Sequence, residues 1–278
     1  MNIGFIGLGV MGRPMAKNLL KNGYNVTGYA RNKDHLNGFN DVPLFDSIKE
    51  LVEHNDVIIT IVGFPTDVKE VYDEIYKYAR KGMILIDMTT SSPSLAKDIN
   101  EKFNAIGVKT LDCQVTGGDL GAIKGTLTIF VGGEKETYEK SLPILKAMGT
   151  TICYVGEAGC GQHAKLANQI AIAGAVGAMS ETVTYLKRHN LDVKTLVDVI
   201  ATGSASSWQM KNMAPRALNG DLEPGFFIKH FVKDMKLAKE ECGDLNVLNT
   251  VLKMYEDMMD EEKGDLGTQA IVTYYDKK

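Results

Sequence analysis

The chain has 278 residues, 31 of them basic and 35 acidic, for a net charge of −4. That length suits about two domains and a full core, and the acidic balance argues against a general nucleic-acid or membrane-surface binder, which carries a basic excess. With 44% hydrophobic and 24% charged residues, the composition is that of a globular chain and not a disordered one.

Residues 2–6 are a short apolar run that predicts a strand, followed by glycines and then by apolar residues at helical spacing over 10–20, with Gly23 closing the helix. Strands are predicted at 25–29, at the β-branched run 56–62, and at 83–87, 108–112, 126–131 and 151–154. Helices are predicted at 66–79 and 94–104, with a further one closing over 143–148. This alternation predicts a doubly wound α/β sheet of the Rossmann type with right-handed crossovers. After Gly161 the alternation stops. One long helix is expected over 163–189, then helices at 193–201, 208–218, 232–242 and 250–262. The expected division is an α/β domain at 1–160 and an all-α domain at 161–278, which begins with a long interdomain helix.

The four cysteines, Cys113, Cys153, Cys160 and Cys242, form no C-x-x-C pair and read as buried or semi-buried free thiols of a reducing compartment. The N-terminus lacks the basic region of a secretory signal. No stretch approaches the roughly 20 apolar residues of a membrane span. The expectation is a soluble cytoplasmic protein with neither membrane nor nucleic acid as partner, and no metal-ligand spacing is evident.

Gly7-Leu8-Gly9-Val10-Met11-Gly12 fits G-x-G-x-x-G and lies between a predicted strand and a predicted helix, the context in which that pattern binds a dinucleotide. Gly7 permits the tight turn, Gly9 lets a pyrophosphate approach the backbone, and Gly12 lets the helix pack close to the strand. At the end of the second strand an NAD site keeps an acid for the ribose 2′-hydroxyl. Here the residues are Tyr29-Ala30-Arg31-Asn32-Lys33, with nothing acidic before Asp34. Arg31 suits a 2′-phosphate and points to NADP(H), with NAD(H) possible; the alternative is that Arg31 and Lys33 are solvated charges after a strand.

Two later segments carry chemistry. Asp112-Cys113-Gln114-Val115-Thr116-Gly117-Gly118 places a hydroxyl before two glycines, a nest suited to a small carboxylate, although by itself a plain hairpin or bulge turn is the simpler reading. In 159–169, Lys165 and Asn168 stand three apart and share a helix face just before an apolar run of small residues. A lysine there is costly unless functional, or else it snorkels to the surface beside a solvated Asn. His163 reads as structural.

Together and in this order, these patterns resemble the β-hydroxyacid dehydrogenase family, which includes 3-hydroxyisobutyrate dehydrogenase and tartronate semialdehyde reductase. The resemblance spans essentially the whole chain: Phe5 to Gly12 with Met15-Ala16-Lys17-Asn18-Leu19, Asp112 to Gly118 against the usual D-x-P-V-S-G-G, Gly125 to Ile129, Gly161 to Asn168 against G-x-x-x-K-x-x-N, and Phe231-Val232-Lys233-Asp234. It implies Lys165 as proton donor and acceptor, Asn168 as a substrate holder, and Thr116, Gly117 and Gly118 at the substrate carboxylate. It also implies Thr90 at the nicotinamide ribose, Val62 and Gly63 beneath the cofactor, and Lys233 as a cofactor contact positioned by Asp234. The implied reaction interconverts a small 3-hydroxy acid and its semialdehyde. Tartronate semialdehyde and succinic semialdehyde are alternative substrates, and the implied assembly is a homodimer or homotetramer. Gln114 for Pro, Thr116 for Ser and Gln169 for a second Asn depart from the family pattern and bear on the substrate. Trp208 is either a pocket wall or core. The rival readings are a non-catalytic NADP-binding module and a 6-phosphogluconate dehydrogenase-like decarboxylase.

Overall fold

The computed structural model describes residues 1–32, 36 and 39–276, so Lys33 and Asp34 lie outside the described residues. The chain divides into two compact units, Met1–Lys165 and Leu166–Lys278.

The first unit is built on a seven-stranded sheet in the order β2-β1-β3-β4-β5-β6-β7. The strands are β1 (Asn2–Ile6), β2 (Asn25–Tyr29), β3 (Val57–Thr60), β4 (Ile84–Asp87), β5 (Lys109–Thr116), β6 (Leu127–Gly133) and β7 (Gly149–Gly156). Chain order reverses at β1, which lies between β2 and β3; in such sheets this switch point is where ligands bind. The helices of this unit are α1 (Gly12–Lys21), α2 (Ile48–His54), α3 (Pro65–Tyr76), α4 (Pro93–Asn104), α5 (Gly118–Lys124) and α6 (Lys135–Lys146). Two apolar clusters hold them to the sheet, one around Phe5, Met15, Leu19 and Ile129 and the other around Ile58, Ile75, Leu85 and Phe103. Both β3 and most of β4 are buried along their length, which is why their sequences read as continuous apolar runs.

The structure corrects the expected sheet in one respect: β6 runs antiparallel to β5, with Thr116 opposite Thr128 and Leu111 opposite Gly133. The connection between them is short and holds only the two turns of α5, less than a parallel crossover needs. The hairpin reading of the 112–118 segment is therefore right about topology, with a helix inserted that the sequence did not announce. α2 is likewise unforeseen, and β5 runs past its expected end to Thr116.

A long helix, α7 (Cys160–Arg188), begins in the first unit and continues through the second. The second unit adds α8 (Val193–Ile200), α9 (Ala214–Leu218), α10 (Ile228–Cys242), α11 (Asn246–Asp260) and a closing 3-10 helix at Thr268–Thr273. Its core gathers Val176, Met179, Phe231, Met235 and Tyr255. The small residues of α7 admit α11 closely: a Cβ at Gly177 would lie 2.8 Å from Val251 Cγ2. The helix expected over 208–218 is broken into a π-helical turn at Gln209–Met213 followed by α9. Trp208 is exposed, so its core reading fails. The four cysteines are unpaired, and Cys153 and Cys242 are exposed where burial was expected. No helix among the described residues is long and apolar enough to cross a membrane.

Candidate active site

The glycine turn after β1 has the geometry its three glycines imply. Gly7 lies at φ +96°, where a Cβ would run into the Ile61 carbonyl, and a Cβ on Gly12 would run into the Gly7 carbonyl. Both glycines are required by the fold itself. Gly9 is different, because among the described residues, its chain neighbours apart, no atom lies within 4 Å of where its Cβ would be. The fold does not need glycine there, whereas a ligand lying on the backbone would. α1 then starts with no side-chain cap and no acid in its first turn, which leaves its N–H groups and partial positive charge for an anion. These observations fit a dinucleotide pyrophosphate. The Leu8 side chain is buried under Gly28 and meets a ligand only through backbone, while Val10 is exposed and Met11 half-buried. Arg13, which sequence reasoning missed, folds its Nε–H back onto the Leu8 carbonyl at 2.9 Å and adds positive charge beside the turn.

Arg31 follows β2 as expected, but it is not a lone charge. Its guanidinium, 73% exposed, lies 2.9 Å from Asp67 and 3.5 Å from Glu70, both on α3.

At the carboxyl end of the sheet a buried polar network orders the loops. Thr60 Oγ1–H donates to Asp87 Oδ1 at 2.8 Å, the Thr89 N–H donates to the same oxygen at 3.1 Å, and Thr89 Oγ1 accepts from Val62 N–H at 2.9 Å. Since the Thr60 hydrogen goes to Asp87, the Tyr72 hydroxyl donates to Thr60. Burial pushes the Asp87 carboxyl up to about 6, against the hydrogen bonds from Thr89 and Thr60 that favour its charge. Asp87 thus ties down Thr89 and, through it, Val62. Gln114, standing where Pro is usual, is fully buried and donates from Nε2 to the Asp87 carbonyl at 3.3 Å.

Asp112, the register partner of Asp87 on β5, caps α7 from a distance. Its two carboxylate oxygens accept from Gly159 N–H and Gln162 N–H, each at 2.9 Å, so they satisfy donors that a helix start leaves open. Burial raises its carboxyl above the usual range and these backbone N–H groups hold the rise back. Gly132 and Gly161 leave room for that carboxylate, because a Cβ on either would crowd it. Lys165 comes one turn later and is 7% exposed. Thr116 and Gly118 are half-buried at the end of β5 and Gly117 is exposed. Gly117 and Gly118 take φ +129° and +64°, conformations that favour glycine.

In the second unit Asn168 Nδ2–H donates to Gln169 Oε1 at 3.0 Å, Gln169 Nε2–H donates to Asp234 Oδ2 at 2.6 Å, and Asp234 Oδ1 lies 3.0 Å from Lys233 Nζ. The structure so connects Asn168 with Lys233 through Gln169 and Asp234, both essentially fully buried. Gln169, a departure from the family pattern, is the link.

Comparison with known proteins agrees with this geometry. A family model described as the NAD binding domain of 6-phosphogluconate dehydrogenase matches residues 2–156, and one described as the NAD-binding region of NADP-dependent 3-hydroxyisobutyrate dehydrogenase matches residues 159–275. The chain is 44% identical to an uncharacterised oxidoreductase, YkwC, of Bacillus subtilis (strain 168), over 97% of this chain and 96% of that one. It is 34% identical to the 2-hydroxy-3-oxopropionate reductase of Escherichia coli (strain K12), over 90% and 88%. Among solved structures, a Mycobacterium tuberculosis 3-hydroxyisobutyrate dehydrogenase with L-serine superposes with a TM-score of 0.87 at 29% identity, over 98% and 97%. A Rossmann-type sheet with a ligand-shaped glycine turn, followed by a helical unit, and family matches over both halves lead to one conclusion: the chain belongs to the β-hydroxyacid dehydrogenase family and is an NAD(P)-dependent oxidoreductase.

Proposed function

We propose that the protein interconverts a small 3-hydroxy acid of the 3-hydroxyisobutyrate type and its semialdehyde, with NADP(H) preferred over NAD(H) and Lys165 as the acid/base. One observation carries the reading: a buried lysine stands one turn into a helix whose start is locked to the sheet by Asp112. Lysine is rarely so buried, and a lysine held there faces a bound substrate rather than bulk solvent in this reading. The Gly7–Gly12 turn with Leu8, Gly9, Val10 and Met11 holds the pyrophosphate, and Arg31 holds the 2′-phosphate. Val62 and Gly63 pass beneath the cofactor, Thr90 lines the nicotinamide ribose, and Lys233, steadied by Asp234, contacts the cofactor. When bound, the cofactor supplies the hydride in reduction and takes it in oxidation. Thr116, Gly117 and Gly118 bind the substrate carboxylate with a hydroxyl and two backbone N–H groups. In reduction Lys165 gives a proton to the carbonyl oxygen, and its positive charge stabilises that oxygen as negative charge builds there. In oxidation it takes the hydroxyl proton. Asn168 helps hold the substrate. The second unit also carries a dimer or tetramer interface in this reading, supported by the exposed Tyr185, Leu191 and Val199 and checked by the mass in solution.

A second substrate, 2-hydroxy-3-oxopropionate, is supported by the 34% identity to the Escherichia coli reductase. The deciding experiment offers 3-hydroxyisobutyrate, 2-hydroxy-3-oxopropionate and succinic semialdehyde with each cofactor to the wild type and to Lys165→Ala. The variant should lose at least about a hundredfold in kcat, the usual scale for general acid–base catalysis, with cofactor affinity little changed. Near-normal turnover by the variant removes Lys165 from the role. A wild type that binds cofactor and turns over none of the panel refutes this choice of substrate.

A further inference from the structure

We propose that Gln162 is a positioning residue: it clamps the backbone on both sides of Thr90 to the start of α7, and so sets the ribose contact and the Lys165 proton-transfer group in one geometry. The proposal rests on the roles given above to Thr90 and Lys165. All of the geometry lies within the first unit.

The Gln162 side chain is fully buried. Its Oε1 accepts the Ser91 N–H at 2.8 Å and its Nε2–H donates to the Thr89 carbonyl at 2.9 Å. The two bonds straddle Thr90 much as a neighbouring strand would. The orientation of the amide is fixed by chemistry, because the flipped amide would set carbonyl against carbonyl and N–H against N–H. At its other end Gln162 is held by its own N–H, which donates to Asp112 Oδ2 at 2.9 Å. The Thr89–Ser91 segment is tied on its far side to Asp87 and to Val62 through Thr89; Gln162 ties it to α7. Lys165 follows three residues later on the same helical face, about 4.5 Å further along the axis. Any displacement of Thr90 relative to Lys165 must therefore stretch the Gln162 bonds. Only a group that donates and accepts in one plane can serve both backbone atoms. Glutamine does so at every pH, and a glutamate only while it is protonated.

The last point supplies the test. In Gln162→Glu the protonated carboxyl keeps both bonds, whereas the ionised one faces the Thr89 carbonyl and is repelled. Three quantities should be followed from pH 6 to pH 9 and divided by the wild-type value: hydrogen exchange at the Ser91 amide in cofactor-free protein, the dissociation constant for NADPH, and kcat. The inference expects all three ratios to worsen together as pH rises, reaching about tenfold, the scale of one lost buried hydrogen bond. Lowering the pH should restore them. Gln162→Leu, which orphans both backbone groups, should show the same losses at every pH, and it is the glutamate variant that keeps the test sharp if the leucine variant fails to fold. A merely structural role would lower the melting temperature and leave the kcat and NADPH ratios flat with pH, and that result overturns the proposal. Lys165→Ala, run beside it, separates the two ideas. If Lys165→Ala keeps its turnover, the acid/base reading falls whatever Gln162 does. If Lys165→Ala is inactive and Gln162→Glu matches the wild type throughout, the clamp alone is refuted.

Discussion

In the proposed reading Arg31 sets the cofactor choice, and its acidic neighbours make the expected preference smaller than the bare sequence suggests. Ala30 stands where an NAD site keeps an acid for the ribose hydroxyl, and in the proposed reading Arg31 meets a 2′-phosphate. That phosphate must displace, or share the guanidinium with, Asp67 at 2.9 Å and Glu70 at 3.5 Å. An exposed pair of this kind is worth about 0–1 kcal/mol, and a charge-assisted phosphate–arginine contact about 1.5–3 kcal/mol. The net preference is then about 0.5–3 kcal/mol, or roughly two- to 150-fold for NADPH over NADH. Arg31→Ala should abolish it. Asp67→Asn should enlarge it several-fold, because the amide oxygen can still accept the Phe64 N–H that Asp67 Oδ2 now accepts at 3.0 Å, while the competing charge is gone. Added salt should shrink the preference in both proteins. Dissociation constants for the two cofactors, with kcat/KM where a substrate is in hand, measure this at low and moderate salt. Tighter binding of NADH by the wild type, an unchanged ratio in Arg31→Ala, or a lower NADPH preference in Asp67→Asn would each refute the reasoning.

Three further outcomes follow from the geometry. Gly9→Ala should melt like the wild type and bind cofactor at least about tenfold more weakly, whereas Gly12→Ala should lose about 1–3 kcal/mol of stability through overpacking against Gly7; calorimetry beside a cofactor titration tells the two apart. Asp87 has its carboxyl raised from 3.8 to about 6, so its contribution to stability is present below pH 4, is lost as pH rises to 6, and above that the buried charge costs on the order of 2–3 kcal/mol. Asp87→Asn keeps the acceptor used by Thr60 and Thr89, so its advantage in urea unfolding should grow between pH 4 and pH 7 and then level off; a pH-independent difference would count against this. Asp234→Asn weakens the hold on Lys233 and should raise the dissociation constant for NADPH several-fold and cost up to about 3 kcal/mol of stability, while the KM for the hydroxy acid moves little.

What could be read from the sequence was what is local. The runs at β1 and β2 and the glycine turn carry their own periodicity and conformational demands, and the structure has the two strands at the expected residues. The reversed direction of β6 was hidden because strand direction is encoded in the length and path of a connection, not in the strand's residues. α5 was hidden because it opens on two glycines, poor helix formers that serve here as its left-handed entry. The residues that order the site were hidden for a different reason: Gln162 reaches Thr89 across 73 positions and Asp112 across 50, and Arg31 meets Asp67 across 36. One signal was available in retrospect. Asp87 and Asp112 each end or interrupt an apolar run, and a carboxylate that survives in a buried strand has a bonding duty to perform.

That duty explains why so costly a network persists. Burial raises the carboxyls of Asp87 and Asp112, so each buried charge is held at a cost; an amide could replace the carboxylate at position 87, whereas Asp112 needs both oxygens for the Gly159 and Gln162 N–H groups. Their partners are the backbone N–H groups of Thr89, Gly159 and Gln162, joined by the Ser91 N–H on the Gln162 amide. These groups sit where strands have ended and helices have scarcely begun, so the sheet ladder cannot satisfy them and water is excluded. Side chains stand in for the ladder. The gain is a set of irregular loops held as rigidly as strands, at the end of the sheet where ligands of this fold bind. A site of this kind must be fixed before its ligand arrives, since ordering it on binding would consume affinity. Stability given up in the buried carboxylates is thereby converted into order in the segments that carry Val62, Thr90 and Lys165, the residues that the proposed function places at cofactor and substrate.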